Sequence, residues 1–158
     1  MFCLTTTPCG LLPVLTLQSC DVIVLVGVDA ELDESSVDDV EQTEDVIVSQ
    51  WREVSGDERR QMREQIDEIV RPFGFQTELV VLSRANSIAL YFLCMTLLAL
   101  DSLRDQWNNG QLREIVQSLF TFLSRSTRQV RVKRLSWPLN DYERCLKFFQ
   151  SLQGKQTN

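Results

Sequence analysis

Phe75–Thr96 reads FQTELVVLSRANSIALYFLCMT. Two runs rich in β-branched, aromatic and other apolar residues flank the tetrapeptide Ser83-Arg84-Ala85-Asn86, a suitable length for a hairpin connection. The stretch predicts strands over Phe75–Leu82 and Ser87–Thr96. Its second half belongs to the one long apolar run of the chain, Ile88–Leu100. As a helix that run would span roughly 20 Å, against a bilayer hydrocarbon core of about 30 Å. It reads as a buried strand leading into a helix, not as a membrane anchor.

Upstream, Ser55 and Glu58 have the spacing of a capping box, in which each side chain satisfies a backbone N–H at a helix start. Met62, Ile66, Ile69 and Val70 then form one apolar stripe, while Arg59, Arg60, Arg63, Glu64 and Asp67 take the wet side. Pro72 and Gly74 stop this helix. Asp21–Ala30 (DVIVLVGVDA) has apolar residues on both parities and predicts a strand buried on both faces. Residues 29–45 collect acids among Ser, Thr and Gln and predict a solvated acidic loop. Val46–Trp51 (VIVSQW) either extends the first strand or replaces it. Residues 1–19, with Pro8, Gly10 and Pro13, are expected to lack a fold of their own. Met1–Ala30 has no positive n-region, and its prolines break the layout of a signal peptide.

Downstream, a helix is expected from Leu97 to Asn108, ended by Asn108-Asn109-Gly110, which tolerates left-handed dihedrals. A second, Gln111–Leu123, places Leu112, Ile115, Val116, Leu119 and Phe122 or Leu123 on one face. Arg128–Trp137 (RQVRVKRLSW) alternates Val130 and Val132 inward with Arg131 and Lys133 outward, a half-buried strand whose charges protect an edge. Asn140 with Glu143 resembles another capping box. It opens a helix with Tyr142, Cys145, Leu146, Phe149 and Leu152 as its apolar face, ended by Gly154. With the broken helical pair counted once, the order is β-α-β-β-α-β-α. The expected fold is α+β: a ferredoxin-like βαββαβ sandwich with an additional C-terminal helix. The expected organisation is a leader over 1–19, one domain over 20–153 and a tail over 154–158.

Composition narrows the function classes. The 158 residues are 44% apolar and 24% charged, with a net charge of −6, the balance of a globular domain. The charge is split: residues 1–50 hold ten acids and no Lys or Arg, whereas 51–158 hold sixteen bases against twelve acids. The chain has no histidine, which removes Cys-His zinc sites and histidine-based triads. Five cysteines without a Cys-x-x-Cys pair argue against a disulfide framework and for a reducing, cytoplasmic location. Cys94 and Cys145 lie in apolar-periodic stretches and read as small core residues, not nucleophiles. The acids Asp29, Glu31, Asp33, Glu34, Asp38 and Asp39 lack the central glycine of a calcium loop. No phosphate-cradling glycine motif occurs. Neither an enzyme nor a cofactor is expected.

Arg125, Arg128, Arg131, Lys133 and Arg134 are the strongest surface feature, with no acid between Glu114 and Asp141. They could meet phosphates, with Trp137 stacking on a base, as in an RNA-binding domain of RRM-like topology. That module expects outward aromatics on its central strands and a basic-Gly-aromatic signature missing here; Tyr91 and Phe92 fall on opposite faces. A protein partner is favoured over nucleic acid, met by Arg128, Arg131, Lys133, Arg134 and Trp137 on the edge and outward face of the sheet.

Leu103–Leu123 (LRDQWNNGQLREIVQSLFTFL) carries a Leu-Arg, an aromatic, a Gly-x-Leu-Arg and an apolar helical train. Tyr142–Leu146 (YERCL) follows a basic strand. Together they resemble the N-terminal domain of TRADD, the death-domain adaptor of tumour-necrosis-factor receptors, over roughly residues 75–153. The resemblance implies an α+β sandwich of ferredoxin-like character, docking onto a TRAF domain in innate-immune or cell-death signalling. It supplies no residue-by-residue contact set, and the acidic stretch 29–45 has no counterpart in it.

Overall fold

Apolar residues at every second position make Val24–Leu32 a strand with one wet face. Val24, Val26, Val28, Ala30 and Leu32 are buried, whereas Leu25, Gly27, Asp29 and Glu31 are exposed. This strand, β1, is thus not buried on both faces as the mixed parity of residues 21–30 suggested. The computed structural model describes residues 24–54, 60–84, 86–125 and 128–156. The leader 1–19, the expected Ser55–Glu58 cap and the end of the tail lie outside the described residues.

The hairpin read from Phe75–Thr96 forms. Thr77–Arg84 (β2) pairs antiparallel with Ile88–Cys94 (β3), in a register from Thr77 opposite Cys94 to Arg84 opposite Ile88, shifted between Leu79 and Val81. β3 also pairs antiparallel with β1, and β1 pairs antiparallel with Val132–Ser136 (β4). The sheet order is β2-β3-β1-β4. Edge strand β4 is shorter than the expected Arg128–Trp137. Ahead of it, the Val130 and Arg131 amides donate to Thr121 Oγ1 and Ser36 Oγ, at 2.9 and 3.1 Å, and so are diverted from a strand ladder.

Five α-helices accompany the sheet among the described residues. Val40–Val54 (α1) contains VIVSQW, which is therefore helix and neither extends nor replaces β1. Ile47, Val48 and Val54 are buried and Trp51 half-buried, a 3.6-residue spacing whose burial overrides the β-branched preference. The acids of 29–45 form no single loop. Asp29 and Glu31 lie in β1, Glu34–Ser36 make a 3₁₀ turn, and the remainder lead into α1. Arg60–Val70 (α2) buries Ile66, and Gly74 at φ 86° closes the 3₁₀ turn Arg71–Phe73 behind it.

Leu97–Asn109 (α3) is capped by Thr96 Oγ1, which accepts from Ala99 N–H at 3.1 Å. Gly110 at φ 87° separates it from Gln111–Ser124 (α4), a left-handed turn that costs glycine little. Leu112, Ile115, Val116, Leu119, Phe120 and Leu123 of α4 are buried, so Leu123 and not Phe122 completes the stripe. Leu139–Gln156 (α5) begins directly after Pro138, whose carbonyl accepts from Asp141 and Tyr142 N–H. Asn140 lies inside this helix, so the expected capping box does not form, and the helix runs through Gly154. Cys145 and Phe149 are its buried residues. The architecture is α+β, a four-stranded antiparallel sheet with a helical layer. None of the described helices is long and apolar enough to cross a membrane.

The core lies between the sheet and the helices. Phe92 on β3 is fully buried and meets Phe73 edge to face, ring centroids 5.2 Å apart. Phe92→Ala should therefore destabilise the domain by about 3–5 kcal/mol, read as a lower urea midpoint at unchanged m-value; a loss under 1 kcal/mol would contradict this packing.

Candidate functional site

The strand registers place the outward residues in rows across the open side of the sheet. Glu78, Leu93 and Leu25 share one row; Val81, Tyr91 and Gly27 the next; Ser83, Ala89, Asp29 and Ser136 a third; Glu31 and Arg134 the last. Leu25 is 55% exposed and Val81 43%, while Tyr91 and Leu93 are half-buried. They form an apolar strip bounded by Glu78 at one margin and by Asp29, Glu31 and Arg134 at the other. A glycine at position 27 makes room for Tyr91: a Cβ there would stand 3.3 Å from the tyrosine Cε1. The ring thus lies over the central strand, a close approach that explains glycine inside a strand.

The basic residues singled out in the sequence are distributed among different acidic partners. Arg134 alone reaches the open face, where its Nε lies 3.6 Å from Glu31 Oε1. Lys133 is the extra residue at the register shift between β1 and β4, and is exposed. Arg131 is exposed beside the acidic turn, and its backbone is held by Ser36 Oγ and by the bond from Asp33 N–H to Arg131 O at 2.8 Å. Arg128 reaches Asp38, Nη2 to Oδ1 2.8 Å. The N–H and hydroxyl of Ser35 donate to Asp33 and hold its carboxyl below the usual carboxylate range, with Arg131 and Lys133 adding a smaller pull. An acidic turn therefore sits against the basic segment, and its positive field is partly answered within the chain.

Trp137 is only 2% exposed and stands outside any partner's reach. Its ring packs edge to face on Tyr142, centroids 5.8 Å apart. The Arg104 guanidinium lies 4.3 Å from the Trp107 ring centroid, 5.0 Å from that of Trp137 and 4.9 Å from that of Tyr142. It also donates to Trp137 O at 2.9 Å. This is a filled cation–aromatic cluster joining α3, the link from β4 to α5, and α5 itself, so the expected stacking role of Trp137 is corrected to a structural one. The edge of β4 is occupied as well. Trp107 Nε1 donates to Leu135 O at 3.1 Å, and Gln117 Oε1 accepts from Val132 N–H at 2.9 Å. A strand added there would displace these bonds, so docking along that edge is disfavoured.

Neither described cysteine is poised for chemistry. Cys94 is fully buried, and burial pushes its thiol up to about 12; burial raises Cys145 too. At neutral pH both stay protonated and weakly nucleophilic. Among the described residues no cluster of cysteines and carboxylates could hold a metal ion. Comparison of the chain with the known protein families, with curated proteins and with solved structures gave no match.

The sequence reading passed over Leu25, Glu78, Val81 and Leu93, and weighed Tyr91 only as an aromatic of an RNA-binding sheet. One signal for the first was present: within 24–32, positions 27, 29 and 31 carry a glycine and two acids, and Leu25 shares their parity. The outward set on β2 and β3 carried no such mark, because Val81 and Leu93 are as apolar as their buried neighbours.

Arg84 at the end of β2 pairs with three acids of α1: Glu41 at 3.7 Å, Glu44 at 3.3 Å and Asp45 at 2.6 Å. Glu44 is 4% exposed. Desolvation raises its pKa, and Arg84 opposes that rise. A folded pKa above the unfolded one means a stability contribution present at low pH and lost as pH rises through the folded value. The melting temperature of Glu44→Gln, relative to the unsubstituted chain, should therefore increase from pH 4 to pH 7. Arg84→Met should make stability fall more steeply over the same range, and parallel pH profiles for all three proteins would refute the assignment.

Proposed function

We propose that this domain is a non-enzymatic adaptor module that docks a protein partner on the open face of its sheet. The observation that carries the proposal is the exposed strip Leu25, Val81, Tyr91 and Leu93, held on paired strands with acids and Arg134 at its margins. Apolar residues gathered on a rigid surface and rimmed by charge mark interaction sites more often than scattered exposed residues do. Preformed strands also spare the partner the entropy of ordering a loop. Burial raises the thiol pKa values of Cys94 and Cys145 and leaves them weakly nucleophilic, which supports a role other than catalysis.

The likeness to the TRADD N-terminal domain gives the partner its class, a TRAF-type domain, and the setting, innate-immune or cell-death signalling. A ferredoxin-like reading of the sheet agrees with that likeness. β3 is inserted between β1 and β2, which run parallel to each other and are connected through helices, the pattern of a split βαβ unit. Under this reading α5 is the additional C-terminal helix. Arg131, Lys133 and Arg134 act as charges beside the strip that steer the encounter, not as anchors, because exposed rim charges change association rates more than affinity.

An isolated trimeric TRAF domain, titrated by surface plasmon resonance, tests this. Leu25→Arg and Tyr91→Ala should each weaken binding at least about tenfold, near 1.4 kcal/mol, with unchanged circular dichroism. Arg131→Glu with Lys133→Glu should chiefly slow association at low salt. Equal binding by Leu25→Arg and the unsubstituted chain would remove the open face as the site. Absence of binding by the unsubstituted chain would remove the TRAF-type partner. Tight binding of a random RNA pool in a parallel anisotropy titration would favour the RRM-like alternative instead.

A further inference from the structure

Two serines stand among the acids between β1 and α1. Glu34–Ser36 form a 3₁₀ turn opened by Asp33, whose Oδ1 accepts from Ser35 N–H at 3.0 Å and from Ser35 Oγ at 2.8 Å. Ser35 is exposed. Ser36 is half-buried, its Oγ donating to Asp33 O at 2.8 Å and accepting from Arg131 N–H at 3.1 Å. The backbone leaves the turn extended at Val37, φ −136° and ψ 150°, and carries Asp38 and Asp39, both exposed, next to it. The Asp38 side chain is 94% exposed even while it pairs with Arg128 at 2.8 Å. The basic segment lies on the other side of the turn. Arg131 O accepts from Asp33 N–H at 2.8 Å, and Arg131 and Lys133 both act on the Asp33 carboxyl.

We propose that Ser35 is a phosphorylation site, the acceptor for a protein kinase that reads acidic residues on the C-terminal side of its target serine. Accessibility separates the two serines. A kinase must bring the acceptor hydroxyl to its own base and in line with the γ-phosphorus. The Ser35 hydroxyl is exposed, whereas that of Ser36 is committed to backbone groups on both sides. Recognition comes from Asp38 and Asp39, wet carboxylates on a short extended link that a base-lined groove can pair with. In the transfer, Ser35 Oγ gives its proton to the base of the kinase and bonds the γ-phosphorus of a nucleoside triphosphate, while the bond to the diphosphate leaving group breaks. A turn of acids alone would only repel the product dianion. Here Arg131 and Lys133, close enough to act on Asp33, attract it as the Asp33 carboxylate turns it away. Modification thus gives the phosphate partners within the chain and cancels positive charge beside β4. The site is independent of the docking face on the open side of the sheet.

Incubation of the folded full chain with ATP and a kinase of the casein kinase 2 type tests it, with the modified position mapped by fragment-ion mass spectrometry. Ser35 should be modified. Asp38→Asn should slow its modification at least about tenfold, the worth of one charge-assisted hydrogen bond. Arg128→Gln, which breaks the same exposed ion pair but keeps the acid, should leave the rate unchanged, because such pairs hold little of the fold. In the modified chain, phosphorus NMR should show a phosphate resonance that Ser35→Ala lacks. Its second ionisation should rise by at least about half a unit in Arg131→Gln/Lys133→Gln, with circular dichroism unchanged in every variant. No modification at Ser35, or modification of Ser36 in its place, would overturn the site. Equal rates for Asp38→Asn and the unsubstituted chain would overturn the kinase class. An ionisation indifferent to the two bases would overturn the placement of the phosphate against the basic segment.

Discussion

Strand β1 is paired on both edges and buried on one face, and the rest of the molecule follows from that combination. Its inward residues, from Val24 to Leu32, sit under the helices and are at most 7% exposed. Its outward residues cannot be apolar throughout, so Gly27, Asp29 and Glu31 alternate with them. Because β3 and β4 hydrogen-bond on either side, the outward rows of the neighbouring strands are aligned with those of β1. An exposed strip across the sheet is the geometric consequence.

The two edges of the sheet differ in the same physical terms. At β4, side chains of α3 and α4 bond the backbone, and Arg104 ties Trp107, Trp137 and Tyr142 into one cluster. That edge is closed by the fold itself, which removes the aggregation hazard of a bare strand. At β2, the ion pairs of Arg84 with α1 hold only the far end, and beside Thr77–Leu79 a groove remains. Among the described residues no strand pairs with the outer edge of β2.

Charge is arranged locally more than globally. The split between an acidic first third and a basic remainder does not give two separate fields, because the turn 33–39 folds onto the segment 128–134 through Asp33, Ser36 and Asp38. Arg128 and Arg131 are therefore neighbours of acids. Arg134 likewise pairs with Glu31, so these bases, with Lys133 beside them, suit a steering role at the margin of a protein interface better than a phosphate track.

The sequence by itself determined the hairpin of β2 and β3, the helices α2, α3 and α4 with their breaks at Gly74 and Gly110, the basic strand before α5, and the burial of Cys94 and Cys145. Each depends on short-range pattern: hydrophobic period, turn residues, and a glycine where φ is positive. Tertiary structure decided the remainder. VIVSQW became helix because the helical layer needed Ile47, Val48 and Val54 on one face, a demand that exists only once the sheet is present. Trp137 passed from a candidate contact to a buried ring because Arg104 and Tyr142, distant in sequence, close around it. The strip of Leu25, Val81, Tyr91 and Leu93 was illegible for the same reason: whether an apolar side chain on a strand faces core or solvent depends on which side the helices settle, and no local pattern in β2 or β3 records that choice.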